Sequence, residues 1–233
     1  MKIFLDIGGH MGETLDDIIT YNEFDIIHSF EPCLELYTKY LKKYENDKVK
    51  IHNFGLSDKT SKEIIYNPGS VGASVLKDKK AKKGYKLEEE CQFIAAEEWF
   101  KKNLDKKDEI IVKFNCEGSE YFIIKNLIES NEYDKITFCM IWTDILKSQN
   151  LYTKFFDLDN MLKNKINYIY AFDYDLNDFI KDCPDYKKHK GKGQIGYWLY
   201  KKARYNNFNR NNMNILKWKK DKIIQSIYNR MNG

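Results

Sequence analysis

With 233 residues, 42% hydrophobic and 15% aromatic, the chain has apolar area enough for one sizeable core, which excludes a disordered polymer and suggests no second domain. No run of 18 apolar residues and no charged start leading into an apolar leader core occur, so the expectation is a soluble, cytoplasmic protein with no transmembrane segment. The net charge of +4 is lopsided: residues 201–233 hold nine basic residues against Asp221, a tail of +8, so residues 1–200 carry −4.

Cys33, Cys91, Cys116, Cys139 and Cys183 are an odd number of scattered thiols without a CxxC pair. That pattern fits free, mostly buried cysteines in a reducing compartment better than a disulfide framework or a zinc site.

In chain order, KIFLDI at 2–7 predicts a buried strand, and GETLDDIITY from Gly12 a helix. DIIHSFEP at 25–32 predicts a second strand stopped by Pro32, and ELYTKYLKKY a helix with Leu34, Tyr37, Tyr40 and Leu41 on one face. KVKIHNFGLSD at 48–58 predicts a third strand entering a turn. Strands separated by short helices imply a parallel sheet. Residues 60–77 hold two short β-like runs around NPGSVGAS, a surface excursion of hairpin type. CQFIAA then leads into the helix EEWFKKNL. The strand DEIIVKFN at 108–115 and the helix GSEYFIIKNLIES follow, then the strand KITFCMIW at 135–142. A helix near 148–163 and the strands INYIYAFDYD and QIGYWLYKK, read as an antiparallel pair, finish the body.

The turn after the first strand reads D-x-G-G-x-x-G over Asp6, Gly8, Gly9 and Gly12. Such a turn lets a ligand approach the backbone, and the following helix offers free N–H groups to negative charge. A plain strand-to-helix turn is the structural alternative. The spacing misses both the G-x-G-x-x-G of dinucleotide sites and the GK[ST] of a P-loop. Glu31 ends the second strand 19 residues after Gly12, where a carboxylate can accept both hydroxyls of a ribose. A ligand with a ribose and no pyrophosphate signature points to S-adenosylmethionine, whose adenine edge Leu56, Ser57 and Asp58 are placed to meet. Asp58 is the acceptor for the adenine amino group, or else part of a solvated turn.

FLDIGGHMGET, SFEPCLELYTKYL, FGLSD, VGASVL and VKFNCEGSEYFIIKNL, in this order, resemble the FkbM family of S-adenosylmethionine-dependent methyltransferases over roughly residues 3–145. The resemblance implies an α/β class I methyltransferase fold, a Rossmann-like, doubly wound sheet of about seven strands with the last antiparallel. It implies O-methylation of a carbohydrate or other small-molecule hydroxyl, with S-adenosylhomocysteine as product. It also implies that Asp6, Gly8, His10, Gly12, Glu31 and Asp58 contact the cofactor, and Gly9, Thr14 and Ser57 of the same motifs are expected to bind it with them.

In this fold the reacting groups come from the carboxyl ends of the fourth and fifth strands, here Asn115-Cys116-Glu117-Gly118-Ser119-Glu120 and Trp142-Thr143-Asp144. The family usually has D-x-E-G-x-E at the first site. Asn115 replaces that Asp, and an amide can orient an acceptor but cannot take its proton. Glu117 is therefore the first candidate for the general base and Asp144 the second; a first-turn acid favoured by the helix dipole is the alternative for Glu117. Nothing in the spacing demands a metal. An N-methyltransferase is the enzymatic rival, but Asn115 matches only the first letter of its Asn-Pro-Pro-Tyr motif.

Residues 1–202 are expected to form the methyltransferase domain and 203–233 a basic helical tail. Leu216, Ile223, Ile224, Ile227 and Met231 have the spacing of an amphipathic C-terminal helix, suited to docking on the body or joining a homodimer. Binding of the tail to nucleic acid or an anionic membrane surface is the rival; with the body net acidic, no DNA or RNA partner is expected. Lys188 and Lys190, in the lysine-rich loop before QIGYW, would hold an anionic acceptor such as a phosphorylated small molecule, or form a solvated loop.

Overall fold

The structure, a computed structural model, describes residues 1–70, 73–76, 87–142, 144, 152–165 and 167–171. Its centre is a six-stranded sheet in the order β3-β2-β1-β7-β8-β9, every neighbouring pair parallel. The strands are β1 (Lys2–Ile7), β2 (Ile26–Phe30), β3 (Val49–His52), β7 (Glu109–Phe114), β8 (Ile136–Trp142) and β9 (Tyr168–Ala171). The intervening β4 (Gly55–Ser57), β5 (Ser61–Tyr66) and β6 (Glu88–Ala95) form a second sheet of order β4-β6-β5.

The period-2 alternation of β1 explains the two-sided burial. Ile3, Leu5 and Ile7 enter one core with Phe100 of α3 (Ala96–Asn103), Ile123 and Leu127 of α4 (Glu120–Glu129), and Phe155 and Leu158 of α5 (Tyr152–Leu162). Phe4 enters the opposite core with Leu15 and Ile18 of α1 (Glu13–Tyr21) and Met140. Fully buried side chains such as Phe4, Phe30 and Phe114 each contribute about 1.5–3 kcal/mol of transfer free energy. Helices thus cover both faces, the doubly wound arrangement expected.

The predicted third strand is divided. β3 ends at His52, and after Asn53 and Phe54 the chain leaves the main sheet so that β4 can pair with β6. The helix after Pro32 is irregular: α2 (Leu34–Leu36) runs into a wider π turn, Tyr37–Leu41, and a tighter turn, Lys42–Tyr44. The expected hairpin is realised chiefly over a longer separation, with β5 antiparallel to β6, and a short return bridges Tyr66 to Ser74. The second strand of the expected antiparallel pair and the basic tail lie outside the described residues.

His28 and His52 sit on adjacent strands, Nδ1 of one 2.9 Å from Nε2 of the other, stacked together and edge-on to Trp99. Burial lowers both pKa values to about 4, with the neighbouring His52 adding to the effect at His28. Because the folded values lie below the unfolded ones, the stabilisation is complete above about pH 6.5 and is lost as pH falls toward 4. Allowing for partial exposure, each ring should account for roughly 1–2 kcal/mol of that loss. Denaturant midpoints measured from pH 7.5 to 4 should show it, and a His28→Phe/His52→Phe protein with the same pH slope would refute the assignment.

Candidate functional site

The strand order reverses between β1 and β7, so the crevice belongs at the carboxyl ends of these strands. A cavity of about 430 Å³ opens there, within the range of small-molecule sites. The register brings Ile7 level with both Phe30 and Phe114, so the segments following three strands meet at one place.

The glycine turn is built first against the protein itself. The N–H groups of Gly8 and Gly9 both donate to the Phe30 carbonyl, at 3.2 and 2.9 Å. Gly8 has φ +93°, and a Cβ there would stand 1.9 Å from the Asn115 carbonyl oxygen. Gly12, also at +93°, would place its Cβ 2.8 Å from the Tyr44 ring. Packing of the turn onto the segment after β7 and the turn after α2 therefore requires these glycines, whatever binds.

Five non-glycine residues among those described have positive φ. Three are Asn, which tolerates it; the other two, His10 and Glu117, both line the cavity. Backbone in this region costs of order 1–3 kcal/mol per residue and persists where the surroundings enforce it. Glu31 enforces it at His10: Oε2 accepts the His10 N–H at 2.9 Å and Oε1 the Cys33 N–H at 3.0 Å. Glu120 does the same after β7. Its two oxygens accept the N–H groups of Cys116 and Gly118 at 2.8 and 2.9 Å, clasping the loop that carries Glu117. The Ser74 hydroxyl adds a bond to the Glu117 carbonyl at 2.9 Å.

Glu31 is only 6% exposed, and burial raises its pKa against the lowering effect of the Cys33 and His10 amides. A carboxylate has about four acceptor directions; the two amides and the Cys33 thiol engage part of this capacity and leave the rest for a ligand. Nε2 of His10 is buried without a hydrogen-bond partner among the described residues, while Nδ1 lies 3.1 Å from Glu13. Glu13 is pushed up by burial, but its own N–H and His10 outweigh this and lower its pKa. The Cys116 thiol is held well above its ordinary range by burial and by the charges of Glu120 and Asp144, which disfavours the thiolate that a nucleophile needs.

Asp6 does not line the cavity; it supports it. The carboxylate is fully buried, 2.7 Å from Lys113 Nζ and 2.9 Å from the Ser29 hydroxyl, and Lys113 also donates to the Gly8 carbonyl at 2.7 Å. Lys113 was not anticipated, although a lone cation inside EIIVKF is a visible anomaly; buried lysines are rarely unpaired. Asp17 is another unanticipated member of the wall, and Trp142, at the expected end of β8, also lines it.

Gly8, His10, Thr14, Glu31, Asn115 and Glu117 line the cavity together. Gly9 and Gly12 shape the turn behind it. Gly55 and Leu56 reach the wall, whereas Ser57 and Asp58 are not part of it; the Ser57 hydroxyl lies 3.2 Å from Asp58, which is exposed. Asp144 is buried just beyond Trp142. Lys188 and Lys190 lie outside the described residues. No helix among the described residues is long and apolar enough to cross a membrane.

No protein-family model matches the chain, and no curated protein matches it. Among solved structures, the chain is similar to methyltransferase FkbM from Methylobacillus flagellatus KT, with a TM-score of 0.40 and 16% identity. The similarity covers 70% of this chain and 37% of that one, so the chain matches little more than a third of that protein's length.

Proposed function

We propose that the protein is an S-adenosylmethionine-dependent methyltransferase of the FkbM type, acting on a hydroxyl of a carbohydrate or phosphorylated small molecule. The observation that carries this is Glu31: a buried carboxylate at the end of β2, oriented by two backbone amides and lining the switch-point cavity with acceptor capacity to spare. That is the arrangement a ribose diol requires. The acids Glu13, Asp17, Glu31 and Glu117 in the wall suit a ligand bearing a sulfonium and an ammonium group.

The cofactor, when bound, supplies an electrophilic methyl group. The wall residues do the rest. Glu31, with the backbone of the Gly8–His10 turn, fixes the nucleoside and amino-acid ends. Asn115 would hold and orient the acceptor hydroxyl, the positioning that in-line transfer requires. During transfer the hydroxyl proton would pass to Glu117, with Asp144 the alternative acceptor. The loop with Lys188 and Lys190 is proposed to hold an anionic group of the acceptor, and residues 203–233 to dock as a helix on the body or on a second copy.

Calorimetric titration with S-adenosylhomocysteine tests the Glu31 assignment. Glu31→Ala should weaken affinity by about ten- to 150-fold, the loss of a charge-assisted interaction of about 1.5–3 kcal/mol. Unchanged affinity in a folded Glu31→Ala protein would sink it.

A further inference from the structure

Beside the cavity, behind the residue whose amide orients Glu31, three metal-ligating side chains converge. Glu89 and Cys91 are two apart on β6 and share one face of that strand, and Cys33 precedes the first residue of α2. The Cys33 and Cys91 sulfurs and a Glu89 carboxylate oxygen all lie within 4.8 Å of one another, and both thiols are buried. Glu89 is already held in place, accepting the Leu34 N–H at 2.8 Å. Ile65 and Phe93 surround the thiols with apolar contacts, while Cys33 itself lines the cavity, so the cluster is enclosed yet reachable.

We infer that Cys33, Cys91 and Glu89 form a binding site for a thiophilic divalent cation of the zinc type. Two thiolates and one carboxylate select zinc or cobalt over magnesium or calcium, which prefer all-oxygen ligand sets. In a tetrahedral site with Zn–S of about 2.3 Å and Zn–O of about 2.1 Å the ligand atoms stand roughly 3.5–3.8 Å apart, so closure requires movements of about 1 Å or less. The fourth position is left for water or a cavity ligand. Binding balances as one dication replacing two thiol protons, giving a site with two thiolates, one carboxylate and a net charge of −1. An ordinary thiol is protonated near neutral pH, so the protons are present to be displaced. The bound ion would tie the small sheet to the start of α2 and fix the Cys33 amide on which Glu31 depends. The site stands on these three residues and holds whether or not the cavity takes S-adenosylmethionine.

The test is titration of the metal-stripped full chain with Co²⁺ and Zn²⁺ in a non-thiol reductant. One equivalent of Co²⁺ should produce thiolate-to-metal charge-transfer absorption, displaced by Zn²⁺, with release of about two protons per ion in weak buffer near neutral pH. Affinity should rise with pH, by up to about 100-fold per unit while both protons must leave. Cys33→Ser/Cys91→Ser should abolish the absorption, each single substitution should reduce it, and Glu89→Gln should keep it while weakening affinity by roughly ten- to 100-fold. Glu89 is partly exposed, so that variant tests the site even if the thiol variants fold poorly. Absence of the absorption in the parent chain, its persistence in the double variant, or Glu89→Gln affinity equal to the parent's would overturn the proposal.

Discussion

Replacing Lys113 by Met should destabilise the protein by about 3–5 kcal/mol, the usual consequence of removing one partner from a buried ion pair. The Asp6 carboxylate is fully buried and would keep only the Ser29 hydroxyl of its two side-chain partners, while the Gly8 carbonyl would lose its donor at 2.7 Å. In a chain of this size the change corresponds to a melting temperature lower by roughly 6–20 °C. Removing both charges together leaves no orphaned ion, so Asp6→Asn/Lys113→Met should recover much of the loss. A loss below about 1 kcal/mol in the single variant would mean that solvent reaches Asp6 and that the pair is not what anchors the turn.

Glu117→Gln should lower turnover by roughly 10²-fold or more while leaving S-adenosylhomocysteine affinity close to that of the parent. The amide keeps the size and the loop, because that loop is held by Glu120 and by the Ser74 bond to the Glu117 carbonyl, neither of which the substitution touches. The capacity to accept the acceptor's proton is removed. The positive φ of Glu117 is a cost that the clasp of Glu120 sustains, consistent with a side chain held for use. Turnover within a few-fold of the parent would transfer the role to Asp144, and Asp144→Asn would then carry the large effect.

Much of the frame was legible because it depends on short-range patterns. KIFLDI, DIIHSF and DEIIVKF are apolar runs bounded by turns and helices, and all three became central strands. The division of 48–58 was not legible, because the departure at Asn53 is set by the pairing of β4 with a strand more than 30 residues later. Glu31 could be found from its spacing to the glycine turn. What the glycines pack against could not: the Asn115 carbonyl that forbids a side chain at Gly8 lies over 100 residues away. The role of Lys113 is not legible in the sequence, because a cation in a strand has meaning only once its partner, Asp6 on the neighbouring β1, is known. Motif order brings Ser57 and Asp58 to the end of β4 and the turn after it but does not determine which way that turn faces.

The most direct test of the account is a crystal structure of the chain with S-adenosylhomocysteine. Both ribose hydroxyls should lie within about 2.5–3.0 Å of the Glu31 carboxylate oxygens, with the amino-acid end against the Gly8–His10 turn. A nucleoside bound with its ribose away from Glu31, or no ligand in the switch-point cavity at saturating concentration, would contradict it.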